Sequence, residues 1–178
     1  MGIDQVGDDS WLETREDERK RPATEPRRWW GWAALVLSLA GFGDSLYLTI
    51  EHFSGGILNC PETGGIDCWA VTHSPQAEVF GVLPVALLGL IFYTVLTAIN
   101  LPPLWRRRDE IGRWLSYARL ASVITGIGFV FYLLYTELFS IKKICLYCTG
   151  VHVLTFLLFA LVVSTLPTML ATPGLSER

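Results

Sequence analysis

Four apolar runs, each long enough to cross a bilayer as an α-helix, leave this chain few soluble folds to adopt. A transmembrane helix takes about 20 consecutive, mostly apolar residues. Trp32–Glu51, Phe80–Asn100, Ser116–Phe139 and Ile144–Leu166 meet that requirement. Helix punctuation agrees with the divisions. Pro102-Pro103 closes the second run, Lys142-Lys143 separates the third from the fourth, and Pro167 closes the last. Of 178 residues, 51% are hydrophobic and only 17% charged, with mean hydropathy +0.39, which disfavours a soluble domain. The expected fold is an all-α integral membrane protein, a four-transmembrane-helix bundle over residues 29–168. No Lys/Arg cluster is interleaved with aromatics, so nucleic acid is not expected as a partner.

Residues 1–28 are polar and charge-dense, with no apolar core or small-residue cleavage site of the kind a secretory signal needs. With little to bury, this arm is expected to be a disordered tail, and the first span an uncleaved anchor. Residues 169–178 form a second short tail. Orientation follows from basic residues in short loops. The arm carries Arg15, Arg19, Lys20, Arg21, Arg27 and Arg28, and the loop between spans two and three carries Arg106, Arg107, Arg108 and Arg113. The connection from His52 to Val79 has neither Lys nor Arg. Both tails are therefore expected in the cytoplasm of a cell-membrane, multi-pass protein. Lys142 and Lys143 fall outside on this scheme, two residues against ten.

The outer connection is marked by turns at Gly55-Gly56, Pro61 and Gly64-Gly65. Ser74-Pro75 reads as a helix start, with Ser74 as cap. A short amphipathic helix near Pro75–Phe80, lying over the bundle mouth, is expected. All four cysteines fall on the extracytoplasmic side, where disulfides persist. Cys60 and Cys68 lie in the loop, where they suit a structural staple as well as a redox role, and four cysteines allow three connectivities. Cys145 and Cys148 form a C-x-x-C at the head of the last run, at the positive end of a helix dipole, a place that suits an anionic sulfur. One helical turn, roughly 5 Å of rise, separates the two, so Cys145 can meet a loop thiol while Cys148 faces the interior. A bridge within one turn staples almost nothing, which argues against a purely structural pair. Zinc is disfavoured by the spacing of Cys60 and Cys68, and no metal ligand set is expected.

A loop cysteine pair, a serine six residues after its second member, and a C-x-x-C opening the last helix of a four-span bundle resemble the vitamin K epoxide reductase family. Gly89-Leu90-Ile91-Phe92-Tyr93 adds local agreement, and the resemblance runs from about Trp32 to Pro167. It implies that Cys145 and Cys148 are the active-site pair, with Cys148 next to a quinone, menaquinone or ubiquinone. It implies that Cys60 and Cys68 are a shuttle pair and that Ser74 lies near the quinone pocket. Bacterial members run as thiol oxidases, reoxidising a thioredoxin-fold (DsbA-like) protein. Here that partner would be a separate protein, as in family members without a fused thioredoxin domain. Mammalian members carry Tyr where this chain has His152, and Asn where it has Val85; both help hold the naphthoquinone there. The departures weaken the case for epoxide reduction and leave quinone reduction intact.

Among the remaining polar residues, His152 lies one turn below Cys148 and suits either a quinone contact or a helix-packing bond. Asp44 and Glu137 sit in the outer thirds of their spans, where a carboxylate either delivers protons or snorkels to the interface. Trp29, Trp30, Trp32, Trp105, Trp114 and Tyr117 read as an interfacial belt. Trp69, beside Cys68, is expected to shield or anchor the loop.

Overall fold

The computed structural model describes residues 29–55, 60, 63–79, 81–107 and 109–170. The expected arm over residues 1–28 and most of the C-terminal tail lie outside the described residues. Helix α1 spans Trp29–Ser54. The short loop helix α2 (Cys68–Thr72) follows, then a single 3-10 turn, Pro75–Ala77. Strands β1 (Glu78–Val79) and β2 (Leu83–Pro84) pair antiparallel and lead into α3 (Val85–Ile99). A one-turn helix α4 (Pro102–Trp105) precedes α5 (Glu110–Tyr135), which runs on as a π-helical segment, Thr136–Ile141. The last helix, α6, is Leu146–Leu170.

Among the described residues, three segments are long and apolar enough to cross a membrane: Trp29–Ser54, Glu110–Ile141 and Leu146–Pro167. Their outward faces carry Val36, Ile50, Phe131 and Val153, each more than half exposed. Such faces suit lipid and not water.

The second expected span is shorter than its apolar run. Its helix begins at Val85, not Phe80, because Gly81 takes a left-handed φ of 68° at the tip of the β1–β2 hairpin, and Pro84 stands at the N-cap. The fifteen residues of α3, at about 1.5 Å each, reach roughly 22 Å. The expected amphipathic helix at Pro75–Phe80 is also absent as such. Pairing of Glu78 with Pro84 and Val79 with Leu83 draws that backbone into extended form after one 3-10 turn. At the far end, Pro167 lies inside α6 and does not close it. In the last turn its missing N–H costs the helix only one bond.

Small residues decide how the helices meet. The buried face of α1 is Gly31, Ala34, Ser38, Gly41, Ser45 and Leu48, spaced alternately three and four apart. That stripe lets α3 and α6 approach closely. The Tyr93 ring of α3 lies against Gly41, so closely that a Cβ there would overlap it. The Tyr93 hydroxyl donates to the Val151 carbonyl (3.1 Å) and shares a hydrogen bond with Thr155 Oγ1 (2.8 Å), tying α3 to α6.

At the end carrying the arginine-rich loop, polar groups close the bundle. Arg119 of α5 is buried and donates from Nε and Nη2 to the Ile99 carbonyl, at 3.1 and 2.6 Å. A cation there satisfies the carbonyl end of α3 and its dipole. The same guanidinium lies 4.7 Å over the Trp105 ring, whose Nε1 donates to Asn100 Oδ1. Asn100 Nδ2 in turn donates to Ser38 Oγ (3.0 Å). Trp105 is therefore a buried network residue and not part of an interfacial belt.

Replacing Gly41 with Val should lower stability by about 1–3 kcal/mol through overpacking against Tyr93. Gly43→Ala, where a Cβ meets nothing within 4 Å, should unfold in detergent like the parent. Thermal melts of the two variants check the contrast.

Candidate functional site

The cysteine end is assembled by a short backbone latch. Gly64, at φ 61°, turns the loop so that Ile66 forms a parallel bridge with Ile144, just ahead of the C-x-x-C. The Ile144 N–H donates to the Gly65 carbonyl (2.9 Å), and the Asp67 N–H to the Ile144 carbonyl (3.1 Å). Asp67 then caps α2, its Oδ1 accepting the Ala70 N–H at 3.0 Å. A bridge two residues before Cys68 and one before Cys145 leaves those two cysteines side by side.

Cys60 and Cys68 are joined as a disulfide, with Cα atoms 6.1 Å apart. Cys68 is 1% exposed, and its Sγ accepts the Leu146 N–H at 3.4 Å, from the residue after Cys145. Cys145 and Cys148 are free thiols. Cys145 is fully buried against Leu48, Cys68 and Val71, and its Sγ accepts the Cys148 N–H at 3.2 Å. The sulfur thus does for the first turn of α6 what a capping oxygen does elsewhere. All four cysteines share one packed cluster, which also takes in Tyr47, Tyr147 and Val151.

Beside this cluster lies a cavity of about 280 Å³, walled mainly by apolar side chains of α1, α3, α5 and α6 and covered by the loop. Cys148 lines it. So does His152, one turn further along α6, 3% exposed, with neither ring nitrogen hydrogen-bonded. A neutral imidazole carries one donor and one acceptor, and burying both unpaired costs free energy. Ser74 and Val85 are on the cavity wall as well. The Ser74 hydroxyl donates to the Val71 carbonyl (2.9 Å) and makes no cap to the 3-10 turn. Asp44 takes a different place, facing α6 at Gly150, where a Cβ would meet its Oδ2 at 3.0 Å. Trp69 is 52% exposed and stacks on His73, 4.8 Å between centroids.

A family profile described as Vitamin K epoxide reductase family matches residues 32–163, about three-quarters of the chain. The chain belongs to that family. No curated protein matches it. Membership implies quinone-linked thiol oxidoreductase or epoxide reductase activity, and the long apolar helices fit a membrane protein. The cavity suits a quinone ring on physical grounds. Its walls are apolar, a thiol opens onto it, and His152 offers the hydrogen bond that a ring carbonyl seeks. Its volume is near the lower end of the roughly 300–1,000 Å³ typical of ligand pockets, enough for a ring but not for an isoprenoid tail.

Sequence reasoning missed the latch and the Asp67 cap. The cap had a signal, an Asp directly before the short Cys-Trp-Ala-Val-Thr run. The latch had none, because it pairs residues 78 positions apart. Asp67→Ala should cost about 1 kcal/mol of α2 stability. Faster hydrogen exchange over Cys68–Thr72, with exchange in α6 unchanged, would register the loss.

Proposed function

We propose that this protein is a quinone-dependent thiol oxidoreductase of the cell membrane that reoxidises a separate extracytoplasmic thioredoxin-fold protein. One observation carries the reading: the two sulfurs of the C-x-x-C face different surroundings, Cys145 the loop disulfide and Cys148 the cavity. A reduced partner attacks the Cys60–Cys68 bridge, and the freed Cys68 thiol attacks an oxidised Cys145–Cys148 pair at Cys145 through a mixed disulfide. Loop disulfide and C-x-x-C dithiol are then restored, the state in which the cysteines stand here. The dithiol passes two electrons and two protons to quinone in the cavity, with Ser74 and His152 as the polar contacts to its oxygens. For such a two-electron step, a quinone about 100 mV above the disulfide supplies roughly 4–5 kcal/mol.

The reading includes four spans, with α3 as the fourth. At roughly 22 Å it falls short of the ~30 Å hydrocarbon core, and the hairpin before it makes up part of the depth. The basic loop after α3 supports cytoplasmic tails and an extracytoplasmic cysteine end. Reduction of quinone epoxide is the alternative direction. Val85 and His152, where mammalian members carry Asn and Tyr, argue for the quinone alone.

Purified protein given a thioredoxin-fold dithiol should reduce menaquinone or ubiquinone. Cys145→Ala and Cys148→Ala should each abolish that reaction, and retained turnover in either variant sinks the reading. A Cys60→Ser/Cys148→Ser variant should close a Cys68–Cys145 disulfide on mild oxidation, seen by mass spectrometry. His152→Leu separates ligand contact from packing. Removing two unpaired buried nitrogens should leave the melting temperature unchanged or raised, while the KM for quinone rises about tenfold. A packing histidine would show the opposite pattern, lower stability with KM intact.

A further inference from the structure

Glu137 is the buried carboxyl that the relay above leaves unused. It is 4% exposed and sits in the π-helical segment that ends α5, a geometry often found at functional sites. Its main-chain oxygen accepts the Lys143 N–H at 3.2 Å, which folds the Lys142-Lys143 turn back over it. Among the described residues no Lys or Arg lies within ion-pair distance of it. It lines the cavity together with Cys148 and His152. A carboxylate so placed shares one cavity with the sulfur that must lose a proton and the space that must receive one.

We infer that Glu137 is the base that takes the Cys148 thiol proton and returns it to the quinone as it is reduced. The inference rests on the quinone-reducing reading. The balance is complete: two S–H bonds break, the Cys145–Cys148 bond forms, and the electron pair goes to the quinone. One proton reaches the quinol from Cys148 by way of Glu137, and the other comes from the Cys145 thiol. Other titratable groups around Cys148 are Asp44 and His52 on α1, Tyr93 on α3, Cys145 just ahead of α6 and His152 on it. Glu137 is the carboxyl among them that lines the cavity with the thiol.

Glu137→Gln isolates the proton transfer, because the amide keeps the size and shape of the side chain while the group no longer takes up a proton. The pre-reduced Gln variant should reduce quinone at least about a hundredfold more slowly than the parent. Its rate should climb with pH, where the parent's reaches a plateau. A second readout needs no quinone. In a Cys145→Ser protein with the loop disulfide intact, Cys148 is the sole thiol, and its alkylation can be followed over a pH series. With Glu137 present the rate should level off once the acid–thiol pair has given up its first proton. With Gln it should keep rising about tenfold per pH unit until the thiol itself titrates. Superimposable alkylation profiles, or parental quinone reduction by the Gln variant, overturn the inference. If the Gln variant does not fold, the Cys145→Ser profile decides alone, and a rate rising through the neutral range without levelling rejects the base. A parent protein that reduces no quinone defeats the underlying reading instead, which keeps the two failures distinct.

Discussion

The pairing of Ile66 with Ile144 is the contact on which the site depends. A disulfide can pass between two pairs only if their Cα atoms come within about 4.4–6.8 Å in the mixed state, a tolerance that a free loop rarely satisfies. Two backbone hydrogen bonds fix the loop to the strand-like residues just ahead of α6, and a third runs from Leu146 to the sulfur of Cys68. Holding the loop this way costs chain entropy, but that cost grows only slowly with loop length. The Asp67 cap then sets the direction in which Cys68 leaves the latch. The geometry that the proposed relay needs therefore rests mainly on backbone groups, which do not depend on which side chains flank them.

Helix geometry does the rest. Residues 145 and 148 stand one turn apart, so one sulfur lies in the packed cluster under the loop and its partner opens onto the cavity. The cavity keeps an unpaired imidazole buried at a cost that a purely structural core would shed by substitution. Local conflict of that kind is expected where function overrides stability. Glu137 belongs to the same economy. A π turn brings a carboxyl to the wall of the cavity that Cys148 also lines.

The long segments were legible because an apolar run near 20 residues has few meanings, and the C-x-x-C because its spacing fits one helical turn. Boundaries were harder. The run from Phe80 reads as a span interrupted near its start by Gly81 and Pro84, and the hairpin moves the helix start on to Val85, since cross-strand pairing is not visible in a local window. Ser74 followed by Pro75 carried a cap signature, but the preceding α2 offered the carbonyl of Val71 and took the hydroxyl instead. Trp105 was grouped with interfacial aromatics on position alone, and only the packed Arg119 and Asn100 show that it faces inward. Arg119 is an ionisable residue within an apolar run, which should have prompted a search for a partner. That partner proved to be a helix-terminal carbonyl and not an acid.

The brevity of α3 links these departures to the chemistry. Had the helix begun at Phe80, about 7 Å more of it would have stood beside the Cys145–Cys148 turn, in the space now closed by α2, the 3-10 turn and the hairpin. A full-length span there would present only apolar side chains fixed on a rigid rod. A short helix leaves room for a loop that puts a serine and a glutamine on the cavity wall, with the disulfide packed beside it against Cys145. Gly81 and Pro84, which break the apolar run, are therefore part of what admits redox groups to the mouth of the bundle. The same break places the start of α3, with Val85, on the cavity wall.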